Sequence, residues 1–161
     1  PKFDYIQSRI FSFFNRDTGT HNFQSDKAIE SITSGGYFGK GIGEGTLKNR
    51  VPEAHTDYII SVISEEFGVV AIMLILLLFL MFIYMVFKKI NYEKDDKTKL
   101  VLIGCVSLIL MQATIHVGVN IRLFPTTGMT LPFLSYGGSS IVSISILSGI
   151  ILNLTKRKIE N

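Results

Sequence analysis

A short string of ionisable residues stands immediately before a long apolar block. Residues 52–57 read Pro-Glu-Ala-His-Thr-Asp, and the apolar block begins at Tyr58. Helix capping by Thr56 and Asp57, with Glu53 favouring the positive end of the helix dipole, accounts for one or two of these side chains. It does not account for all of them. The string is therefore a candidate chemical site at the mouth of a membrane helix.

Two more carboxylates, Glu65 and Glu66, lie two turns further along the same block. Ionisable groups beside hydrocarbon are functional or paired by default. The expected partners are Arg122, His116 or a basic residue from outside this chain.

Gln112, His116 and Asn120 recur at intervals of four residues, which puts them on one face of a helix. Hydrocarbon would penalise all three, so this face is expected to point into protein or water and to support the floor of the candidate site. His116 by itself is more often a hydrogen-bonded packing residue than a catalyst. No second His or carboxylate stands at metal-ligand spacing from it, so no protein-built metal site is predicted.

Residues 35–45 read Gly-Gly-Tyr-Phe-Gly-Lys-Gly-Ile-Gly-Glu-Gly, a glycine-rich segment that carries one cation, Lys40. Backbone amides free of side chains can approach an anion, which makes the segment a candidate phosphate cradle. It matches neither a Walker loop nor a dinucleotide-binding fingerprint. A flexible, turn-rich loop shaped by glycine dihedrals is the simpler interpretation.

The elements that must position these residues are membrane helices. Of the 161 residues, 47% are hydrophobic, and they are gathered into long blocks. Residues 69–87 hold no charge, and a helix of this length is roughly 28 Å long, close to the hydrocarbon thickness. The pattern predicts an all-α, polytopic membrane helical bundle with spans at about 58–87, 100–121 and 134–154. A short helix is predicted over 24–34, with Ser25 as its N-cap.

Basic residues indicate how the spans are oriented. Residues 88–99 hold five lysines, and Lys156-Arg157-Lys158 follows the third span. The positive-inside rule makes both segments cytoplasmic, which puts residues 1–57, a large loop, and the connection 122–133 on the outer face. This distribution explains the net charge of +3, and no nucleic-acid partner is predicted.

The beginning of the chain is predicted to belong to a longer protein. It starts at Pro1 without a signal-peptide pattern, and the aromatic-rich residues 3–14 are expected to end a preceding helix. The single cysteine, Cys105, excludes a disulfide within the chain.

Three strings together resemble the SEDS family of membrane proteins (FtsW, RodA and SpoVE) over nearly the whole chain from Tyr5. The strings are residues 35–45 with Lys40, residues 52–59 continuing into Glu65-Glu66-Phe67-Gly68, and residues 125–140, Pro-Thr-Thr-Gly-Met-Thr-Leu-Pro-Phe-Leu-Ser-Tyr-Gly-Gly-Ser-Ser. Thr130 and the Pro-Thr-Thr-Gly opening resemble the FtsW branch more than the RodA branch. Tyr58 and Ser64 depart from the more usual Phe and Gly. The resemblance corresponds to the C-terminal part of a protein with roughly ten spans.

This resemblance implies a peptidoglycan glycosyltransferase that polymerises lipid II on the outer face of the bacterial cytoplasmic membrane, during septal wall synthesis in cell division. Asp57, in the His-Thr-Asp string, is then the catalytic base that takes the proton of the acceptor GlcNAc 4-hydroxyl as it attacks C1 of the donor MurNAc. Substrate contacts are expected from Lys40, Glu53, His55, Arg122 and Ser135.

The leaving undecaprenyl pyrophosphate needs positive charge, for which Lys40, Arg50 and Arg122 are candidates. The resemblance implies no cofactor built by the protein and leaves open a divalent cation, Mg²⁺ or Mn²⁺, held by the pyrophosphate. The implied partners are lipid II, undecaprenyl-pyrophosphate-linked glycan, membrane lipid, a class B penicillin-binding protein transpeptidase and other division proteins.

Three alternatives stay open at this point. In a lipid II flippase or other transporter, a path across the membrane would be lined by Glu65, Glu66 and the polar stripe formed by Gln112, His116 and Asn120. A RodA-like elongation polymerase would do the same chemistry elsewhere in the cell. A non-catalytic scaffold would need no acidic cluster at a helix mouth.

Overall fold

The computed structural model describes residues 20–51 and 53–156, and within these ranges the chain forms helices and connecting loops without a strand. The helices are α1 (Thr20–Gly35), α2 (Leu47–Arg50), α3 (Ile59–Tyr92), α4 (Asp96–Asn120) and α5 (Gly138–Thr155). Helices α3, α4 and α5 are long and apolar enough to cross a membrane. The predicted all-α bundle with three spans is confirmed. The helix end predicted within residues 3–14 lies outside the described residues.

The connection between α3 and α4 is shorter than predicted. Helix α3 continues to Tyr92 and α4 begins at Asp96, so most of the lysine-rich segment 88–99 is helical. Lysine is a good helix former, and the connection needs only residues 93–95. Asp95 caps α4, because its carboxylate accepts hydrogen bonds from two amides of the first turn.

Helix α5 begins at Gly138 instead of Leu134. The residues before it form a turn in which Ser135 Oγ accepts from the amide of Leu131 at 2.8 Å. The amide of Ser135 returns a hydrogen bond to the Leu131 carbonyl at 3.1 Å. Phe133 has φ of 66°, which a right-handed helix does not allow. Local side-chain hydrogen bonding therefore replaces the predicted first turn of the helix.

The start of α3, the end of α4 and the start of α5 meet at one end of the bundle, which we call the Asp57 end. Helices α1 and α2 pack there around a buried cluster made of Ala28, Leu47, Val51, Ala54, Tyr58, Val62 and Val119. Ser25 lies inside α1, so its predicted role as N-cap is wrong. Its Oγ instead lies 3.4 Å from the hydroxyl oxygen of Tyr58.

Towards the opposite end, a second buried cluster joins the three long helices. It consists of Val86, Ile90, Leu102, Cys105, Val106, Ile109, Ile144 and Ile151. The outward faces remain apolar, and Leu74, Leu77 and Met111 are each more than half exposed. Such faces suit lipid or the helices of a larger bundle, as expected of a multi-pass membrane protein.

Helix α3 is interrupted at Gly68, where φ is 80° and ψ is 178°. Four backbone hydrogen bonds with the glycine-rich loop replace the helical bonds lost there. From the helix, the amides of Val69 and Val70 donate to the carbonyls of Gly36 and Tyr37, at 3.0 and 3.3 Å. From the loop, the amides of Lys40 and Gly41 donate to the carbonyls of Glu65 and Glu66, at 2.9 and 3.1 Å. A β-carbon on Gly68 would lie 2.1 Å from the Tyr37 carbonyl oxygen, so only glycine fits. The loop is therefore docked on the helix break.

The break at Gly68 separates the carboxylates of Glu65 and Glu66 from the apolar part of α3. The uncharged residues 69–87 that follow Gly68 are by themselves long enough, at roughly 28 Å, to cross the hydrocarbon. Glu65 and Glu66 precede the break, on the side of Asp57. They belong to the Asp57 end, where groups of the protein can satisfy irregular backbone.

A tight contact between Gly118 and Phe124 closes the end of α4. A β-carbon on Gly118 would lie 2.3 Å from Cδ2 of Phe124, whereas nothing lies within 4 Å of one on Gly104 in the same helix. We expect Gly118→Ala to displace the ring and lower the free energy of unfolding by about 1–3 kcal/mol. Gly104→Ala should instead raise it by roughly 0.5–1 kcal/mol. Melting temperatures of the two variants in detergent test this, and equal shifts would contradict it.

Candidate active site

Asp57 ends a tight turn that leads directly into α3. Its amide closes the turn by donating to the carbonyl of Glu53 at 3.0 Å. Asp57 is 9% exposed. A β-carbon on Gly128 would lie 3.7 Å from Asp57 Oδ2, so the carboxylate faces the loop that connects α4 to α5. The predicted catalytic carboxylate thus lies where two loops of the Asp57 end meet.

The last residue of α4, Asn120, binds the start of α3 through both ends of its amide group. Its Oδ1 accepts from the amide and the hydroxyl of Ser61, at 3.2 and 2.8 Å. Its Nδ2 donates to the carbonyls of Asp57 and His116, each at 2.9 Å. Tyr58, at the N-cap position of α3, makes no side-chain cap. Asn120 therefore caps α3 from a neighbouring helix and holds the Asp57 backbone.

The other two residues of the stripe on α4 bind the loop that follows this helix. Nδ1 of His116 donates to the carbonyl of Met129 at 2.7 Å. Nε2 of Gln112 donates to the carbonyl of Thr130 at 2.8 Å and to Oγ of Ser140 at 3.1 Å. The expectation that the stripe faces protein is confirmed. Nε2 of His116 is buried and has no hydrogen-bond partner in the described part of the chain.

Ser135 ties the two loops together. Its hydroxyl donates to the carbonyl of Thr56 at 2.8 Å and accepts from the amide of Leu131 at 2.8 Å. One residue later, the amide of Tyr136 donates to the carbonyl of His55 at 3.1 Å. Ser135 is 4% exposed, so in this structure it anchors the backbone before α3. Its contact with substrate stays a prediction.

Glu53 and His55 lie on the exposed rim of the same turn. Their main chains are structural, because the Glu53 carbonyl accepts from the amides of Thr56 and Asp57. Their side chains are exposed within four residues of the candidate base. Contact of these side chains with substrate stays a prediction.

Two of the three predicted pyrophosphate cations are paired with carboxylates. Nζ of Lys40 donates to Oε1 of Glu65 at 2.9 Å. The guanidinium of Arg122 pairs with Asp26 of α1. The expectation that Glu65 pairs with Arg122 or His116 is therefore wrong, because the docked glycine-rich loop brings Lys40 onto it.

Arg50, the third predicted cation, is exposed and lines a polar cavity of about 190 Å³ beside α1. Lys27, Glu30, Lys40 and Glu65 lie in the same wall. A hydrogen bond from Lys27 holds the pKa of Glu30 below its usual range, and the charges of Arg50 and Lys40 act in the same direction. These cations therefore favour the ionised form of Glu30. Over residues 20–51 and 53–156, no three His, Cys, Asp or Glu side chains are grouped so that they could hold a metal ion.

Sequence reasoning missed the partners of the buried polar side chains. Glu65 is also bound by Thr46 and Leu47, and Asn120 is bound by Ser61. The one available signal was Gly68, since an isolated glycine in an apolar helical run marks a break or a close approach of backbone.

Comparison with known proteins identifies the family. The model of a family described as cell cycle protein, which groups FtsW, RodA and SpoVE, matches residues 2–160. Several similar proteins are named "Probable peptidoglycan glycosyltransferase FtsW". That of Enterococcus hirae is 36% identical over 161 residues, covering 98% of this chain and 41% of its own length. That of Caulobacter vibrioides is 38% identical over 157 residues, covering 97% and 40%.

A third relative with this name, from Geobacter metallireducens, is 37% identical over 157 residues, covering 96% of this chain and 42% of its own length. The chain thus spans about two fifths of the length of the relatives it matches. With a family match over almost every residue, the chain belongs to the FtsW/RodA/SpoVE family of cell cycle proteins.

Proposed function

We propose that this chain forms the catalytic end of a peptidoglycan glycosyltransferase that polymerises lipid II into glycan strands, with Asp57 as general base. The observation that carries the proposal is the placement of the Asp57 carboxylate. It lies at the mouth of α3, its backbone is bound by Asn120, and Oδ2 faces the loop that carries Gly128. The names of the FtsW relatives support the same activity.

The proposed reaction is one inverting displacement. The 4-hydroxyl oxygen of the acceptor GlcNAc attacks C1 of the donor MurNAc, the C1–O bond to undecaprenyl pyrophosphate breaks, and Asp57 takes the hydroxyl proton. The amide of Asp57 is bound by Glu53 and its carbonyl by Asn120. A base whose backbone is fixed in this way needs little reorganisation to reach the attacking oxygen. In this proposal the exposed rim side chains of Glu53 and His55 contact the sugars or the peptide.

The leaving pyrophosphate requires cations instead of a proton. Arg50 is our first choice, because its side chain is exposed and α2 leads from it towards the Asp57 turn. Arg122 is a second choice, although it pairs with Asp26. A Mg²⁺ or Mn²⁺ ion carried by the pyrophosphate would supply further positive charge.

A transporter is less well supported than a polymerase. In that alternative, Glu65, Gln112 and Asn120 would line a path for lipid II. The carboxylate of Glu65 accepts three hydrogen bonds from the docked loop and α2. Gln112 and Asn120 are likewise bound to protein groups. Polar groups satisfied in this way hold loops in place and leave little polar surface for a path.

We further propose that the whole protein lies in the bacterial cytoplasmic membrane at the division septum and acts with a class B penicillin-binding protein. The experiment for the activity uses full-length protein purified with this transpeptidase and supplied with labelled lipid II. Glycan strands on a gel are expected. Translocation of lipid II across vesicles without polymer formation would favour the transporter.

The outer placement of Asp57 can be tested by labelling. Ile42, in the glycine-rich loop, is 80% exposed, and Lys94 lies in the exposed turn at the opposite end of the bundle. In a cysteine-free full-length protein, an impermeant maleimide should label Ile42→Cys from outside intact cells and Lys94→Cys only after the membrane is opened. Labelling of both sites from outside would contradict the topology.

A further inference from the structure

Lys40, which the sequence predicts to contact substrate, is bound to Glu65 through both its backbone and its side chain. Its backbone amide donates to the Glu65 carbonyl at 2.9 Å, and its Nζ donates to Glu65 Oε1 at 2.9 Å. The side chain of Glu65 is 2% exposed and that of Lys40 is 37% exposed. A carboxylate buried to this degree needs a charged partner and hydrogen bonds to stay ionised. Lys40 supplies that charge.

The same carboxylate organises the start of α2. Oε1 of Glu65 also accepts from Oγ1 of Thr46 at 3.2 Å, and Oε2 accepts from the amide of Leu47 at 3.0 Å. Thr46 is the N-cap residue of α2 but makes no side-chain cap. Glu65 therefore performs the capping from the neighbouring helix.

Three backbone hydrogen bonds, formed one after another along the chain, lead from Leu47 to Asp57. The amide of Val51 donates to the Leu47 carbonyl at 3.0 Å, that of Ala54 to the Val51 carbonyl at 3.2 Å, and that of Asp57 to the Glu53 carbonyl at 3.0 Å. Leu47, Val51 and Ala54 are all buried in the cluster at the Asp57 end. A shift of α2 would be transmitted to Asp57, because Leu47 and Val51 pack in the same buried cluster as Tyr58, the neighbour of Asp57.

We propose that Lys40 and Glu65 form a positioning pair that sets the Asp57 turn through α2, and that Lys40 does not bind the donor pyrophosphate. This inference rests on the proposed function. It predicts that Lys40 acts on the rate of the chemical step, whereas a pyrophosphate ligand would act on substrate affinity as well.

The test compares Lys40→Met, the double variant Lys40→Met/Glu65→Gln and the conservative Lys40→Arg in full-length protein with its transpeptidase partner. Lys40→Met leaves a buried carboxylate without its cation and should lower kcat roughly 10- to 100-fold with KM for lipid II nearly unchanged. The double variant removes the charge but keeps an oxygen for the Leu47 amide, so kcat should recover to within about 5-fold of the unmodified protein. Lys40→Arg should be nearly neutral.

Two outcomes overturn the inference: a large rise in KM with Lys40→Met, or a double variant no better than the single one. If Lys40→Met does not fold, the double variant alone decides, since an intact pyrophosphate site would still require Lys40 and its loss would raise KM. Hydrogen exchange at residues 46–57 gives a readout independent of activity, and exchange should rise in Lys40→Met and fall back in the double variant. An active Asp57→Asn control would overturn the proposed function while leaving this exchange result interpretable.

Discussion

Replacing Asp57 by Asn in the full-length protein is expected to abolish polymerisation of lipid II. Asparagine keeps the size of the side chain but cannot take the proton of the acceptor hydroxyl, and loss of a general base costs roughly 10²–10⁴-fold in rate. Folding should be nearly unaffected, because asparagine preserves the side-chain size and leaves the backbone hydrogen bonds of this residue to Glu53 and Asn120 in place. The measurement is a gel of glycan strands, with the melting temperature in detergent as the check on folding.

Glu53→Gln provides the matched control. It makes the same chemical change four residues away in the same turn, on an exposed side chain. We expect a much smaller loss of polymer from this variant. Near-normal polymer from Asp57→Asn, or an equal loss from both variants, would refute Asp57 as the base, and the first of these results would revive the transporter interpretation.

The parts of this fold that depend on local pattern could be predicted from the sequence. Hydropathy gave the three spans because a membrane helix must be apolar along its whole length. The four-residue spacing of Gln112, His116 and Asn120 gave their shared face, and the cost of polar groups in hydrocarbon gave its direction. Helix ends were less predictable. The lysine-rich segment 88–99 was predicted to be a loop, but lysine also favours helix. The start of α4 is set by Asp95, which caps the helix.

Contacts between distant segments were not predictable from pattern. Lys40 and Glu65 are 25 residues apart, and their pairing depends on the break at Gly68, which opens α3 to the glycine-rich loop. Periodicity shows a face but not the partner that it meets. The same limit applied to Asn120, because no local pattern predicts that it caps a helix that begins 61 residues earlier at Ile59.

That cap leads to the second large effect, expected from Asn120→Leu. Asn120 is fully buried, and its replacement by an apolar side chain of similar size leaves the Ser61 amide and the Asp57 carbonyl without their partner. Each unsatisfied buried group costs about 1–3 kcal/mol. We therefore expect a lower melting temperature. Polymerisation should also fall, because the Asp57 backbone is no longer held from α4.

Ser61→Ala separates these two effects. It removes the hydroxyl that donates to Asn120 Oδ1 at 2.8 Å, but it keeps the amide of residue 61 and the bond from Asn120 to the Asp57 carbonyl. Losing this one hydrogen bond should cost about 0.5–1.5 kcal/mol. Activity measured well below the melting temperature of each variant should then be close to normal in Ser61→Ala and strongly reduced in Asn120→Leu. If the two variants lose activity equally once stability is matched, the bond from Asn120 to Asp57 contributes nothing to positioning the base.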